Sequence, residues 1–556
     1  MSSQPDISKR GLVLLFFFSF AIWFGTLDYR KLAKPDEGRY AEISREMVVT
    51  GDWLTPRLNG IKYFEKPPLQ YWATATAYTA FGFHEWTARL WTALTGFLTI
   101  LLIWWQGRRI FGGKPALYAA MALASNFYFL GLGHINTLDM GLAFFTTLAL
   151  VGFVSAQSDE IGNREKNRWM LTTWAAMALA MLSKGLIGIV LPGATLFLYT
   201  IFTRDWAIWR RLHLVPGLLI FLVIAAPWFI AVSIKNPEFA WFFFIHEHFM
   251  RYATPEARRE GPIYYFVDLL VLGMLPWSLV LVESIWNAVR NLRTPDKQLN
   301  KPTLILLIWT TFIFVFFSLS SSKLPAYILP IFPSLALLMG KRLNQLEAKQ
   351  LVVRIIPVGL LMICGIFYIP YVIDHAEDPV SQALYREYSY WLYAGAFTML
   401  AGIAYSCWHS LRGDKLKAIV SIALAGFLFG HLAVTGYEAL SPNQSTYHFA
   451  EKIRPYVSKE IPFYSIKMYD QTLPFYLRRT VTLVDYKDEF SYGLEQEPTL
   501  AINTMSEFSQ QWKHDKEALA IMQPDTYRAL LAEKYPMEVI AEDGKRVVVK
   551  KIEGKP

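Results

Sequence analysis

Along most of its length the chain alternates apolar runs of about twenty residues with short polar connections. A run of that length matches the ~20 residues that an α-helix needs to cross ~30 Å of hydrocarbon. Thirteen such runs are predicted as spans, at 11–27, 89–106, 115–133, 138–157, 169–183, 185–202, 213–233, 264–289, 301–319, 324–340, 353–373, 388–409 and 416–436. The pattern lapses over 28–88, 234–263 and after 437. In the last of these segments the apolar residues fall into short strand-like runs at 462–469, 480–486, 518–522, 537–540 and 546–550. The final two flank Asp543-Gly544, which reads as a two-residue hairpin turn. The fold class expected is an all-α polytopic membrane protein with about thirteen transmembrane helices and a small C-terminal α/β domain. Residues 1–436 form the membrane part, with loops at 28–88 and 234–263, and 437–556 form the second domain.

Lysine and arginine set the orientation, because they collect in short cytoplasmic loops. Lys9 and Arg10, Arg108 to Lys114, Arg164 to Arg168, Arg204 to Arg211, Arg290 to Lys301, Lys341 to Arg354, and Arg412 to Lys417 occupy alternate loops. With thirteen spans and the N-terminus inside, all of them fall on one side. The loop carrying Asp374, Glu377 and Asp378 falls on the other. The first run has basic flanks like a signal peptide but no small-residue cleavage site, so it is kept as an anchor. The C-terminal domain is then exterior, and in a bacterium periplasmic. Composition agrees: 54% of residues are hydrophobic and 18% charged, against about a quarter charged in soluble domains. The net charge of +9 is thereby a topology signal, and no nucleic-acid partner is expected. Cys364 and Cys407 both lie in apolar runs, so the exterior parts fold without a disulfide.

Candidate chemistry gathers at the exterior ends of the spans. Asp36 follows span one, where a carboxylate is leaving water behind, and Glu65-Lys66 is stiffened by Pro67-Pro68. Between them, 41–49 is expected to form a short amphipathic helix along the membrane surface. His246 and His248 are two apart, a spacing that suits a strand or loop for one metal, not the face of a helix. Arg251 suits bidentate phosphate binding beside a membrane. Ser320-Ser321-Ser322-Lys323 with Tyr327 supplies hydroxyls, an ammonium and a phenol, and a structural turn with Lys323 snorkelling is the competing reading. Asp139 reads either as a helix N-cap or as a carboxylate facing a cavity. Lys184 in Ser183-Lys184-Gly185 either joins that chemistry or ends its span. The sequence carries no GxGxxG after a strand, no Walker loop and no GxSxG elbow. No nucleotide cofactor is expected, and a lipid-linked substrate is favoured.

The stretch Pro35-Asp36-Glu37-x-Arg39-Tyr40-Ala41-Glu42-Ile43-Ser44-Arg45-Glu46-Met47, then Gly51-Asp52-Trp53 and Tyr63-Phe64-Glu65-Lys66-Pro67-Pro68, resembles the aminoarabinose transferases. These are membrane glycosyltransferases of GT-C type, in the group that includes the protein O-mannosyltransferases. The resemblance runs along essentially the whole chain. It implies transfer, with inversion, of 4-amino-4-deoxy-L-arabinose from undecaprenyl phosphate to a lipid A phosphate at the periplasmic face of the inner membrane. By the same resemblance Asp36 is the catalytic carboxylate and Asp139 a second acidic position at the cavity. Lys66, Arg251 and Tyr327, with Lys184, hold the lipid phosphate. Glu65 and His246 match positions of a structural metal, zinc. A monomer is the expected state. The nearest alternative is a related polyprenyl-phosphate-sugar transferase acting on protein hydroxyls or the lipopolysaccharide core. The more distant one is a secondary transporter, against which stands the absence of any internal repeat.

Overall fold

A computed structural model of the protein describes residues 9–158, 161–250, 261–292 and 297–552. By compactness the chain divides into a helical unit, residues 1–27, 65–70 and 89–436, and a second unit, residues 28–64, 71–88 and 437–556.

In the helical unit every predicted span is helical, but not all are single helices. Among the described residues seven helices are long and apolar enough to cross a membrane, and eight if one bent pair counts as a span. The shorter apolar helices Arg10–Gly25 and Ile187–Thr203 join them. The protein is thus a polytopic membrane protein. The run at 264–289 is not one straight helix: Tyr265–Gly273 and Ser278–Asn291 meet at 112°. Pro276 lies between them, with no N–H to donate and a ring that would crowd the preceding turn. Trp277 fastens the bend by donating its Nε1–H to Ser125 at 2.8 Å. The run at 115–133 breaks at Asn126, whose side chain accepts the Phe129 N–H at 2.8 Å and caps Phe127–Leu132. The run at 324–340 begins as a 3₁₀ turn, Pro325–Ile331, before the helix Phe332–Gln345. Apolar length alone does not reveal such breaks.

The second unit holds the α/β domain. Hairpin strands β1 (Arg57–Leu58) and β2 (Ile61–Lys62) turn through Asn59 and Gly60, at φ 54° and 78°, as a two-residue hairpin requires. The main strands are β3 (Phe463–Ile466), β4 (Thr482–Val484), β5 (Ala501–Ile502), β6 (Leu519–Met522), β7 (Met537–Glu542) and β8 (Val547–Lys551). They form one sheet ordered β5-β4-β3-β6-β8-β7, parallel from β5 to β6 and antiparallel beyond. Its core includes Ile466, Phe508, Trp512, Met522 and Val549. The hairpin between β7 and β8 is centred one residue later than expected. Asp543 N–H donates to Arg546 O at 2.8 Å, so Gly544 and Lys545 are the central pair. The Asp543 carboxylate accepts the N–H groups of Lys545 and Arg546, which fixes that register.

The helix expected over 41–49 runs from Asp36 to Thr50 and is buried from Glu37 to Met47. Protein, and not lipid, therefore covers these residues. Its charges are paired inside the unit: Glu37 with Arg30 at 2.9 Å, Arg45 with Glu42 at 2.6 Å, and Arg39 with Glu489 at 2.7 Å. Pairing removes the need for water that would otherwise hold these groups at an interface.

Candidate active site

Three of the predicted residues meet within the helical unit. Asp139 is the first residue of the helix Asp139–Ala156, and Lys184 the last of Asn163–Lys184. The Lys184 ammonium donates to the Asp139 carboxylate, both side chains being nearly buried. Leu138, not Asp139, is the N-cap, and no side chain caps that helix end, so the capping reading of Asp139 fails. The same ammonium lies 4.7 Å from the centre of the Tyr327 ring, within cation–π range. Tyr327 is held by Phe317, ring to ring at 5.0 Å. Gly185 at φ 82° ends the Lys184 helix abruptly, which leaves the lysine at the turn. Together these put a cation, a carboxylate and a phenol at one end of the bundle. That set can bind a phosphoryl or sugar hydroxyl group.

Lys66 is also in this unit, and it faces two carboxylates. Its Nζ lies 3.4 Å from Glu247 and 3.7 Å from Glu65, and it donates to the Glu65 carbonyl at 2.8 Å. His246 Nδ1 is 3.5 Å from Glu247. His246 and Glu247 sit on a π-helical turn, Phe242–Met250, and not on the strand or loop that the histidine spacing suggested. Such turns recur at functional sites. Glu65 and His246 would supply two of the four ligands that a closed zinc site takes. Among the described residues no three His, Cys, Asp or Glu side chains gather around a common point, so further ligands would have to come from outside that set. Arg251 lies outside the described residues.

Lys323 is nearly buried, and its ammonium folds back to the Ser320 carbonyl at 2.7 Å rather than snorkelling. The turn at 320–327 is thereby closed on itself, while Tyr327 is left to meet Lys184.

Asp36 belongs to the second unit. It opens the helix Asp36–Thr50, and its carboxylate accepts from Arg39 at 2.9 Å. The Asp36 side chain is 42% exposed and that of Arg39 10%. Arg39 is fixed in turn by Glu489, which also accepts from Gln471 at 2.7 Å. The residues that fix Arg39 thus come from the C-terminal domain. Gly38 makes this possible, since a Cβ there would stand 2.7 Å from the Gln471 carbonyl carbon. Further along the same helix, Glu46 accepts the Gly60 N–H at 2.9 Å. Burial, and then the neighbouring Glu42 charge, push its pKa well above the usual carboxylate range.

Glu247, Arg39 and Glu489 were not singled out from the sequence. Arg39 could have been, as the i+3 partner of Asp36 on one helix. Nothing local marks Glu489, 450 positions from Arg39.

Residues 449–551 match the model of the aminoarabinose transferase C-terminal domain, and 65–230 that of the dolichyl-phosphate-mannose-protein mannosyltransferases. The undecaprenyl phosphate-α-4-amino-4-deoxy-L-arabinose arabinosyl transferase of Aeromonas hydrophila is 33% identical over 340 residues, 60% of this chain and 59% of its own length. The match thus spans well under two thirds of that relative. The enzyme of the same name from Aeromonas salmonicida is 32% identical over 414 residues, 72% of this chain and 71% of its own. The crystal structure of ArnT from Cupriavidus metallidurans bound to undecaprenyl phosphate superposes with a TM-score of 0.92 at 40% identity, covering 98% of this chain and 99% of that one. With the expected motifs, helices and C-terminal sheet all present, the chain belongs to the aminoarabinose transferase family.

Proposed function

We propose that this protein transfers 4-amino-4-deoxy-L-arabinose from undecaprenyl phosphate to a phosphate of lipid A. The observation that carries the reading is the end-to-end similarity to a solved aminoarabinose transferase described as bound to undecaprenyl phosphate. The basic loops support an orientation with the N-terminus cytoplasmic and the C-terminal domain periplasmic, in a bacterial inner membrane. The protein acts as a monomer in this reading.

In the reaction the bond between the anomeric carbon and the donor phosphate oxygen breaks, and that oxygen keeps the electron pair. An oxygen of the acceptor phosphate forms the new bond from the opposite face, inverting the centre. Lys66, Lys184 and Arg251 stabilise negative charge on the leaving phosphate, and Tyr327 donates its hydroxyl to it. A phosphate monoester has its second pKa near ~6, so the acceptor needs little help in losing a proton. Asp36 accordingly orients the sugar and balances positive charge at its ring, and Asp139 keeps Lys184 in position. A zinc ion tying Glu65 to His246 stays a proposal with no part in any step, and elemental analysis of the purified protein decides it.

The test is an assay of the purified full chain with synthetic undecaprenyl phosphate-aminoarabinose and lipid A, read by mass spectrometry. Lipid A gaining one aminopentose per modified phosphate is expected. Transfer to core oligosaccharide or to protein hydroxyls, with lipid A unchanged, would overturn the acceptor.

A further inference from the structure

A cavity of about 470 Å³ with a mixed polar and apolar lining opens in the helical unit among residues that the proposed transfer does not use. Arg109, Ser155, Gln157, Ser158, Tyr199 and Lys301 line it. It lies beside the C-terminal turns of Glu85–Phe111, Asp139–Ala156 and Ile187–Thr203 and the N-terminal end of Lys297–Leu319. Asp139 starts one of these helices, which is 18 residues long, so the cavity is about 27 Å from the Asp139–Lys184 pair. That distance puts it at the opposite end of the bundle, among the basic loops.

We propose that this cavity binds the phosphate-bearing headgroup of a membrane phospholipid. Arg109 is pre-set: Glu165 holds its guanidinium at 2.7 Å, and it lies 5.2 Å from the Trp105 ring and 6.0 Å from the Trp169 ring. Lys301 forms no ion pair among the described residues and is exposed beside the cavity. Two cations less Glu165 leave one positive charge, the complement of a phosphodiester. That balance has to outweigh the three helix C-termini, whose carbonyl ends repel an anion. Ser155 is already engaged, donating to Val151 O at 2.8 Å and accepting from Gln106 at 2.5 Å. Gln157 is not: among the described residues its amide has neither a donor nor an acceptor partner, although both atoms are buried. Unmatched amides of this kind are uncommon in proteins unless something else supplies the partner.

The walls distinguish a lipid from a soluble phosphate. Ile110, Val154, Pro302 and Ile305 line the cavity and also a small apolar void next to it. A free anion gains nothing from such a wall, whereas the glycerol and first methylenes of a lipid do. Basic pockets between transmembrane helices at headgroup level have this combination of features.

Native mass spectrometry of the delipidated full chain, titrated with phosphatidylglycerol and in a separate arm with inorganic phosphate, tests the assignment. One tightly held phosphatidylglycerol per chain is expected. Lys301→Ala should raise the Kd of this lipid about fivefold, the weight of one ammonium near an anionic headgroup, and Lys301→Arg should restore it. Lys301→Gln, which stays polar and loses the charge, gives the same readout should the alanine variant not fold. A wild-type Kd in the neutral variants would overturn the proposal. Displacement of the lipid by inorganic phosphate at equal concentration would overturn it in favour of a soluble anion.

Discussion

Lys184 and Asp139, 45 positions apart in sequence, join the last turn of one membrane helix to the first residue of another. Each side chain is about one-eighth exposed, at 15% and 12%, so neither charge has much water to fall back on. Removing one partner from a buried pair costs about 3–5 kcal/mol, because it strands the other. Lys184→Met and Asp139→Leu should therefore each lower the thermal midpoint in detergent, and the double variant Lys184→Met/Asp139→Leu should be less destabilised than their sum. Additive losses in that double-mutant cycle would mean that the pair is not coupled.

Lys66 carries the electrostatic part of the proposed reaction while facing the carboxylates of Glu247 and Glu65. Lys66→Ala should lower kcat/KM about 10²–10³-fold, the usual weight of one group aimed at developing charge. Glu247→Gln removes the anion that competes with the donor phosphate for that ammonium, and should lower the donor KM about fivefold. Steady-state kinetics with varied donor check both. A raised KM in Glu247→Gln would show instead that the carboxylate holds the ammonium in place.

Gly38 lies two residues from Asp36, against the backbone of Gln471. An added Cβ would meet the Gln471 carbonyl carbon and oxygen at 2.7 Å and Thr472 Cγ2 at 2.6 Å. Backbone atoms cannot swing aside, so Gly38→Ala should destabilise the second unit by about 1–3 kcal/mol, as overpacking does. A drop in the thermal midpoint checks this, and an unchanged midpoint refutes it.

Glu46 gives a pH dependence of predictable sign. Burial and Glu42 raise its folded-state pKa above the unfolded value, outweighing the Gly60 and Asn59 N–H groups and Arg45. Its contribution is thus fully present below about pH 4.3, the ordinary carboxyl value, and is lost as pH rises towards the folded pKa. The loss has an upper limit of about 1.4 kcal/mol per pH unit in that window. Glu46→Gln, which has no proton to lose, should gain stability over the wild type as pH rises. Thermal midpoints measured from pH 4 upward test this. A gap that stays constant with pH would rule out Glu46 as its source.

Much of the architecture was legible in the chain. Apolar runs of the right length can only be helices in a bilayer, since a lipid-exposed backbone must satisfy its own hydrogen bonds. The strands at β3, β4, β6, β7 and β8 follow from short β-branched and aromatic stretches. The two-residue β5 has too little pattern to be read. Asn59-Gly60 is a hairpin signal of the same kind as Asp543-Gly544, but its flanking strands are two residues each, too short to carry an alternating pattern.

The candidate site divides in the same way. Residue type and motif single out Asp36, Lys66, Asp139, Lys184 and Tyr327 as candidates, because carboxylates, ammoniums and phenols at membrane helix ends are costly unless used. The tertiary structure alone decided their partners. Lys184 takes Asp139 and the Tyr327 ring, Lys66 takes Glu247, and Asp36 takes Arg39, itself held by Glu489. Helical periodicity fixes neighbours three or four residues apart, whereas ion pairs across 45, 181 and 450 positions depend on which helix ends and loops the packed chain brings together.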